Sequence, residues 1–177
     1  MNQQYITLVS FGYFEEDLLW STAEAVRLEF NYPVRLKEGH LDLTEYFNAG
    51  RRQYNGDLLL KALDSFITPD SLKTIGLFSV DLYIPILTYI FGQAALGGRS
   101  GIASCYRLYN ERYGLPADKN LLIERFIKEV IHELGHNFGL IHCQDPLCVM
   151  KSSTYVEDID LKEQHLCHSC RSKLQMV

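Results

Sequence analysis

The segment VIHELGHNFGLIHCQDPLCVM, residues 130–150, holds three histidines, one glutamate and two cysteines. His132 and His136 are four residues apart, so on a helix they share one face and can direct both imidazoles at one metal ion. Gly139 can adopt a positive φ, end that helix and turn His142 toward the same ion. Three neutral imidazoles leave one position of a tetrahedral Zn²⁺ open for water, which is typical of a catalytic zinc site.

The glutamate of this segment has a separate part in the chemistry. Glu133 follows His132 too closely to join it comfortably as a ligand, but its carboxylate can reach a metal-bound water. The alternative is a core helix whose histidines are merely hydrogen-bonded. The full pattern His-Glu-x-x-His-x-x-Gly-x-x-His is far more demanding than His-Glu-x-x-His alone, and this favours the metal site.

Residues 116–139, PADKNLLIERFIKEVIHELGHNFG, are predicted to form one helix. Asp118 is a candidate N-cap and Gly139 a candidate stop. On a helical projection the apolar side chains gather on one broad face, comprising Ile123, Phe126, Ile127, Val130, Ile131 and Leu134. His132 and His136 share a different face, so the helix is expected to pack one side on a sheet and present the other to a cleft.

Upstream of this helix, strand-like runs alternate with helical patterns. Strands are predicted at 3–10, 33–38 and 72–83, with a short strand within 88–96 and a longer one within 100–109. Helices are predicted at 15–30 and 57–67, and 40–57 is predicted to be a loop that overlaps the start of the second helix. The alternation predicts an α/β, mixed α+β layer fold.

Glycines weaken a central strand, so the 88–96 segment is placed at a sheet edge with another group close to its backbone. Such an edge, roughly Ile90 to Ala95, could hold an extended peptide by strand addition, with Tyr89 and Phe91 beside the cleft. An ordinary edge without a ligand is the alternative.

Four of the five cysteines form two pairs near the C-terminus. Cys143 and Cys148 have the spacing C-x4-C, and Cys167 and Cys170 have the spacing C-x2-C. In a reducing compartment these pairs favour a closed tetrahedral zinc site, although C-x2-C alone could be a redox motif and the thiols could be inert. Because Cys143 directly follows His142, such a structural zinc would hold the third histidine in place.

Some further histidines and a cysteine lie near these pairs or apart from them. His165 and His168 flank the second pair, either as substitute ligands or as surface residues. Cys105 has no partner in the pattern and is expected to be a buried thiol.

The composition excludes several classes of protein. A chain of 177 residues with 47% hydrophobic and 22% charged residues fits one globular domain. A net charge of −5 argues against nucleic acid or an anionic membrane as the main partner. The N-terminus has no basic leader, and the apolar tract LYIPILTYIFG is interrupted by Pro85, so a cytoplasmic protein is expected.

HELGHNFGLIH followed by Met150 resembles the metzincin clan of zinc metallopeptidases, and CQDPLCVM followed by CHSC is similar to the archaemetzincin family. The gap from Met150 to Cys167 holds 16 residues, one fewer than the family pattern. The resemblance implies a twisted mixed sheet of about five strands, a long active-site helix and a small zinc-knuckle subdomain. It implies one domain over 1–177, divided into 1–139 and 140–177.

The resemblance also assigns roles by position. His132, His136 and His142 would bind catalytic zinc, Glu133 would be the general base, and Met150 would form the turn beneath the metal. Cys143, Cys148, Cys167 and Cys170 would bind structural zinc, giving two zinc ions per chain. Ser152 occupies the position at which some metzincins have a zinc-binding tyrosine, so no tyrosine ligand is assigned in this chain.

The implied activity is hydrolysis of peptide bonds, with peptides as the partner and a monomer favoured. The first strand is predicted to begin within a few residues of Met1, so no inhibitory pro-segment is expected, and a narrow cleft or restricted substrates are predicted instead. The alternatives are a zinc-stabilised peptide-binding protein with weak or no hydrolysis, and a redox protein that uses Cys167 and Cys170. The presence of Glu133 speaks against the first alternative, and the position of the cysteines speaks against the second.

Overall fold

The computed structural model describes residues 3–174, which contain eight strands. They are β1 (Tyr5–Phe11), β2 (Val34–Gly39), β3 (Phe47–Asn48), β4 (Gln53–Asn55), β5 (Ser71–Phe78), β6 (Leu82–Tyr83), β7 (Gly92–Ala94) and β8 (Ser100–Ser104). Five of them form one sheet in the order β2-β1-β5-β8-β7. The first four are parallel and β7 runs antiparallel at the edge, so the predicted mixed sheet and its edge strand are confirmed.

Five α-helices accompany the strands in the described part of the chain. They are α1 (Glu16–Phe30), α2 (Gly56–Ala62), α3 (Lys119–Asn137), α4 (Val156–Leu161) and α5 (His168–Leu174). The helices predicted at 15–30 and 116–139 are confirmed as α1 and α3. The fold is the predicted mixed α/β fold.

Side chains that alternate along the sheet feed two separate cores. Ile6 and Leu8 of β1 face the larger core, in which α1 and α3 cover the sheet. Val9 and Phe11 of the same strand face the smaller core, to which α2 contributes Leu59. Because both faces are covered, the central strands are buried on both sides, as parallel strands require.

α3 is held by its cap and by its apolar face. The Asp118 side chain accepts a hydrogen bond from the Leu121 backbone N–H at 3.0 Å, which confirms the predicted N-cap. The predicted stripe is buried from Phe126 onward, and Ile123 at its start is partly buried. The helix packs on α1 and on strands β8 and β7, so its C-terminal half lies against the edge of the sheet.

Two predicted strands end earlier than expected. The strand predicted at 72–83 stops at Phe78, because Asp81 leaves the sheet to form an ion pair with Arg107, with N–O distances of 2.6 and 2.7 Å. The strand predicted within 100–109 stops at Ser104, whose hydroxyl accepts a hydrogen bond from the Tyr106 backbone N–H and starts a 3₁₀ turn.

The predicted loop at 40–57 was wrong in part. It contains a 3₁₀ turn, Leu43–Tyr46, and strands β3 and β4, which join β6 in a second, three-stranded sheet. These strands have two or three residues, too few for a period-two pattern to be visible in the sequence. The helix predicted at 57–67 is α2 followed by a 3₁₀ turn, Leu63–Phe66.

The C-terminal part of the chain shares the larger core. Val149, Met150 and Ile159 pack in the same buried cluster as Val130 and Ile131 of α3. Within residues 3–174, no helix has both the length and the apolar character needed to cross a bilayer. The division of a single domain at residue 139 stays a prediction.

Candidate metal centres and cleft

α3 carries the first two histidines side by side. The Nε2 atoms of His132 and His136 lie 3.1 Å apart, and each Nδ1 lies 2.8 Å from a backbone carbonyl oxygen, that of Val149 and that of Leu140 respectively. A carbonyl oxygen only accepts, so each Nδ1–H donates and each Nε2 keeps its lone pair. Two lone pairs this close repel unless a cation lies between them, so the arrangement fits a bound metal ion.

The third histidine arrives through a turn. Phe138 caps α3, and Gly139 follows with φ of +89°, a conformation that favours glycine because it has no Cβ. The His142 ring centroid then lies 5.3 Å from that of His132 and 4.9 Å from that of His136. One nitrogen of each ring lies within 4.8 Å of the others. The structure brings the three residues together, and their role as zinc ligands stays a prediction.

The charge state of these histidines suits a metal. Burial lowers the pKa of His132 well below its ordinary value, and burial also lowers the pKa of His136 and of His142. The positive charge of Lys162 lowers all three pKa values further. Neutral imidazole is the form that binds Zn²⁺, so no proton has to be displaced at neutral pH.

The Glu133 side chain extends from α3 toward the edge strand β7. It is 4% exposed, and a Cβ built on Gly92 of β7 would lie 2.8 Å from Glu133 Oε1 and 2.7 Å from the Ile102 carbonyl oxygen. The missing side chain at Gly92 therefore leaves room for the carboxylate. The prediction that another group lies close to the backbone of this edge strand is confirmed.

We expect Gly92→Ala to displace the Glu133 carboxylate. The Ile102 carbonyl belongs to the backbone of β8, which is held in the sheet. The added methyl group is therefore expected to shift Glu133 and strand β7. Activity is expected to fall by about 10- to 100-fold, and the unfolding free energy by about 1–3 kcal/mol. Peptidase assays and urea denaturation measure the two effects.

The matched control is Gly50→Ala, at a glycine where the nearest neighbour of an added Cβ is Asn48 Oδ1 at 3.3 Å. Gly50 lies in the loop between β3 and β4, away from Glu133. A folded Gly92→Ala variant with wild-type activity would show that Glu133 does not depend on this contact.

Two further charged side chains, Glu129 and Lys162, are buried beside Glu133, and sequence reasoning missed both. Glu129 lies one turn earlier on α3, and Lys162 follows α4. Burial raises the pKa of Glu133 well above its ordinary value, the Glu129 carboxylate raises it further, and the Lys162 charge opposes the shift. The helical spacing from Glu129 to Glu133 was a signal in the sequence. No local pattern marked Lys162.

All of these groups open onto a cleft of about 500 Å³. Its lining includes Tyr89, Phe91, Gly92, Gln93, Ala94, Glu129, His132, Glu133, His136, His142, Ser152, Thr154, Tyr155 and Lys162. Strand β7 therefore lies directly at the cleft, with the predicted aromatic residues Tyr89 and Phe91 beside it. Tyr155 also lines the cleft, although the position at which some metzincins have a zinc-binding tyrosine is that of Ser152.

Met150 lies buried under α3. A Cβ on Gly135 would overlap the Met150 sulfur, so this glycine makes the close approach of the turn to the helix possible. The Met150 carbonyl oxygen accepts a hydrogen bond from the Cys143 backbone N–H at 2.9 Å. The preceding residue, Val149, supplies the carbonyl that orients His132, so this turn supports the histidine cluster directly.

The four paired cysteines form a second cluster. Their Sγ atoms all lie within 4.8 Å of one another, and those of Cys143 and Cys167 are 3.8 Å apart, far beyond a disulfide bond. All five cysteines of the chain are free thiols, and four converging thiols suit a closed tetrahedral zinc. Cys105 is fully buried, and burial raises its pKa to about 11, which confirms the expected buried thiol.

Glu29 links α1 to the segment that carries Cys167 and Cys170. Its buried carboxylate accepts hydrogen bonds from His165 Nδ1 and from the Leu166 backbone N–H, both at 2.9 Å, and forms an ion pair with Arg171. His165 and His168 are both exposed, as expected for surface residues. Neither belongs to a cluster of ligand atoms in the described part of the chain.

The fold, the cluster of three histidines and the cluster of four cysteines together define the chain as a zinc metallopeptidase. The sequence profile of peptidase family M54 matches residues 6–176. The chain belongs to this family, which is that of the archaemetzincins.

Individual relatives are similar along most of their length. Archaemetzincin from Pyrococcus horikoshii is 44% identical over 150 residues, which cover 81% of this chain and 79% of the relative. The crystal structure of archaemetzincin from Methanopyrus kandleri matches with a TM-score of 0.86 and 33% identity, covering 98% of this chain and 94% of that chain. The crystal structure of a zinc-dependent peptidase from Methanocorpusculum labreanum matches with a TM-score of 0.87 and 31% identity, covering 96% of this chain and 99% of that chain.

Proposed function

We propose that this peptidase cleaves a restricted set of peptides, with His132, His136 and His142 as ligands of a catalytic zinc and Glu133 as the general base. The observation that carries the proposal is the buried Glu133 carboxylate beside three converging imidazoles, at the floor of one cleft. A protein that only bound peptides would have no physical need for a carboxylate at that position.

The side chains divide the chemistry between them. A zinc ion held by the three imidazoles would lower the pKa of its water toward neutrality and polarise the scissile carbonyl. Glu133 would take the proton of the attacking water and deliver it to the departing amine. The carbonyl groups of Val149 and Leu140 keep the Nε2 atoms of two histidines aimed at one point.

The edge strand supplies a surface for the peptide. Among residues 3–174, β7 pairs with β8 alone, so its other edge presents backbone groups at the cleft that no further strand engages. An extended peptide would add there as a further strand, with its side chains alternating between the cleft and solvent. A bare edge without a ligand remains the competing interpretation of β7.

A second zinc would be held by Cys143, Cys148, Cys167 and Cys170. The free thiols, whose Sγ atoms lie within 4.8 Å of one another, support this assignment, and they fit a reducing, cytoplasmic setting. Since Cys143 directly follows His142, this site would support the catalytic one. The expected metal content is two zinc ions per chain, measured by atomic absorption.

The cleft size supports restricted substrates. A space of about 500 Å³, lined in part by the buried His132 and Glu133, fits a short extended segment. The fresh enzyme is therefore expected to digest casein slowly. Rapid digestion would contradict the restriction without touching the proposed chemistry.

The test of the function is a peptide-library cleavage assay. The zinc-loaded enzyme is compared with the same preparation after chelation and after zinc is restored. We expect cleavage products that vanish on chelation and return with zinc. Products common to all samples, or none in any sample, would favour the alternative of a zinc-stabilised peptide-binding protein, which a binding measurement with the same library would then detect.

A further inference from the structure

Three ionisable side chains are buried together at the cleft. Glu129, Glu133 and Lys162 are 4%, 4% and 2% exposed, and all three line the cleft. Burial of a charged group is unfavourable unless partners compensate it. Apolar side chains in the same space would give a more stable fold than these buried charged groups do. The cluster therefore indicates a role in function.

The two glutamates are in contact along one face of α3. They are four residues apart, and a side-chain hydrogen bond between them raises the pKa of Glu133 and opposes the rise in the pKa of Glu129. Glu133 Oε2 is buried and has no hydrogen-bond donor among residues 3–174. Two carboxylates that close repel strongly in a water-poor site.

Lys162 supplies the opposite charge. Lys162 directly follows α4 and is buried, and its Nζ donates a hydrogen bond to the Lys151 carbonyl at 3.0 Å. That bond fixes the ammonium group near both carboxyl groups, where its charge stabilises their ionised forms. Lys151 follows Met150, so the turn beneath the histidines also places this charge.

We propose that Glu129 and Lys162 are positioning residues for Glu133. Glu129 limits where the Glu133 carboxyl group can lie, with Gly92 on its other side, and Lys162 balances the like charges of the two glutamates. Neither residue contacts the reacting atoms. The inference rests on the proposed role of Glu133 as general base.

The first test compares Lys162→Met with Lys128→Met. Lys128 is a matched control because it is also buried and also donates to a backbone carbonyl, that of Ile159 at 3.1 Å, but it does not line the cleft. We expect Lys162→Met to lower kcat by about 100-fold, with KM and zinc content unchanged. Lys128→Met is expected to keep kcat within about threefold of wild type.

The second test adds Glu129→Gln to Lys162→Met. The glutamine removes one of the like charges, and its amide N–H can donate to the Glu133 carboxylate, so Lys162 is no longer needed. We expect the double variant to recover at least about tenfold of the lost kcat. We also expect it to regain most of the fall in Tm that Lys162→Met produces.

Several outcomes would overturn the proposal. Losses of kcat that simply multiply in the double variant would show that the two residues act independently. A raised KM with unchanged kcat in Lys162→Met would assign Lys162 to substrate binding. The Tm comparison requires no peptidase activity, so an inactive wild type would refute the proposed function, whereas uncoupled Tm values would refute the charge balance.

Discussion

Glu133→Gln is expected to lower kcat by about 10²- to 10⁴-fold while both metal clusters keep their zinc. Glutamine has nearly the same shape, but it cannot accept the proton of the attacking water. KM should change little, because the variant keeps the walls of the cleft. Steady-state kinetics on a peptide from the library, with zinc measured on the same samples, checks the expectation.

Stability gives this variant a second, independent readout. Glu133 is buried beside Glu129, so a neutral amide removes a charge that the fold has to compensate. The unfolding free energy is therefore expected to stay the same or to rise, even as activity is lost. Glu124→Gln, at an exposed position on the same helix, is the control for both measurements. Activity within tenfold of wild type in Glu133→Gln would remove Glu133 from the general-base role.

Cys170→Ser is expected to unfold the C-terminal part of the chain by removing the structural zinc. Cys170 is 4% exposed and belongs to the larger core, so the loss of its ligand bond leaves a buried hydroxyl and a free metal position. We expect the zinc content to fall from two to one or fewer, and Tm to fall by roughly 10 °C or more. Activity should fall as well, although Cys170 does not line the cleft, because Cys143, a proposed ligand of the same zinc, directly follows His142.

Cys105→Ala is the matched control for this variant. Cys105 is equally buried but lies apart from the thiol cluster, so the substitution costs about 1 kcal/mol of packing and leaves the metal content at two. A Cys170→Ser protein with two zinc ions and wild-type Tm would show that the four thiols do not form a structural zinc site.

The long helix α3 could be predicted from local sequence patterns. Asp118 as the N-cap, the apolar stripe from Ile123 to Leu134, and the glycine turn at Gly139 were all predicted from residues within a few turns of one another. The structure confirms the helix, because capping and helical periodicity depend on neighbours three or four positions away. The same spacing placed His132 and His136 on one face.

The ends of the strands show where local patterns fail. The apolar run at 72–83 gives no sign that the strand stops at Phe78, because the break depends on the ion pair between Asp81 and Arg107, 26 residues later. Strands β3, β4 and β6 exist only because they pair with one another. Their sequences are too short to indicate a strand alone.

The histidine spacing, the glycine turn and the cysteine pairs thus predicted the kinds of site, and the alternation of strand and helix patterns predicted the fold class, since each pattern rests on residues close in the chain. Long-range packing placed Glu133 against Gly92, brought Lys162 to the glutamate pair, and joined Glu29 of α1 to Leu166, next to Cys167. Those contacts join residues about 30 to 140 positions apart, and they depend on burial and charge compensation between separate elements, for which a linear pattern carries no signal.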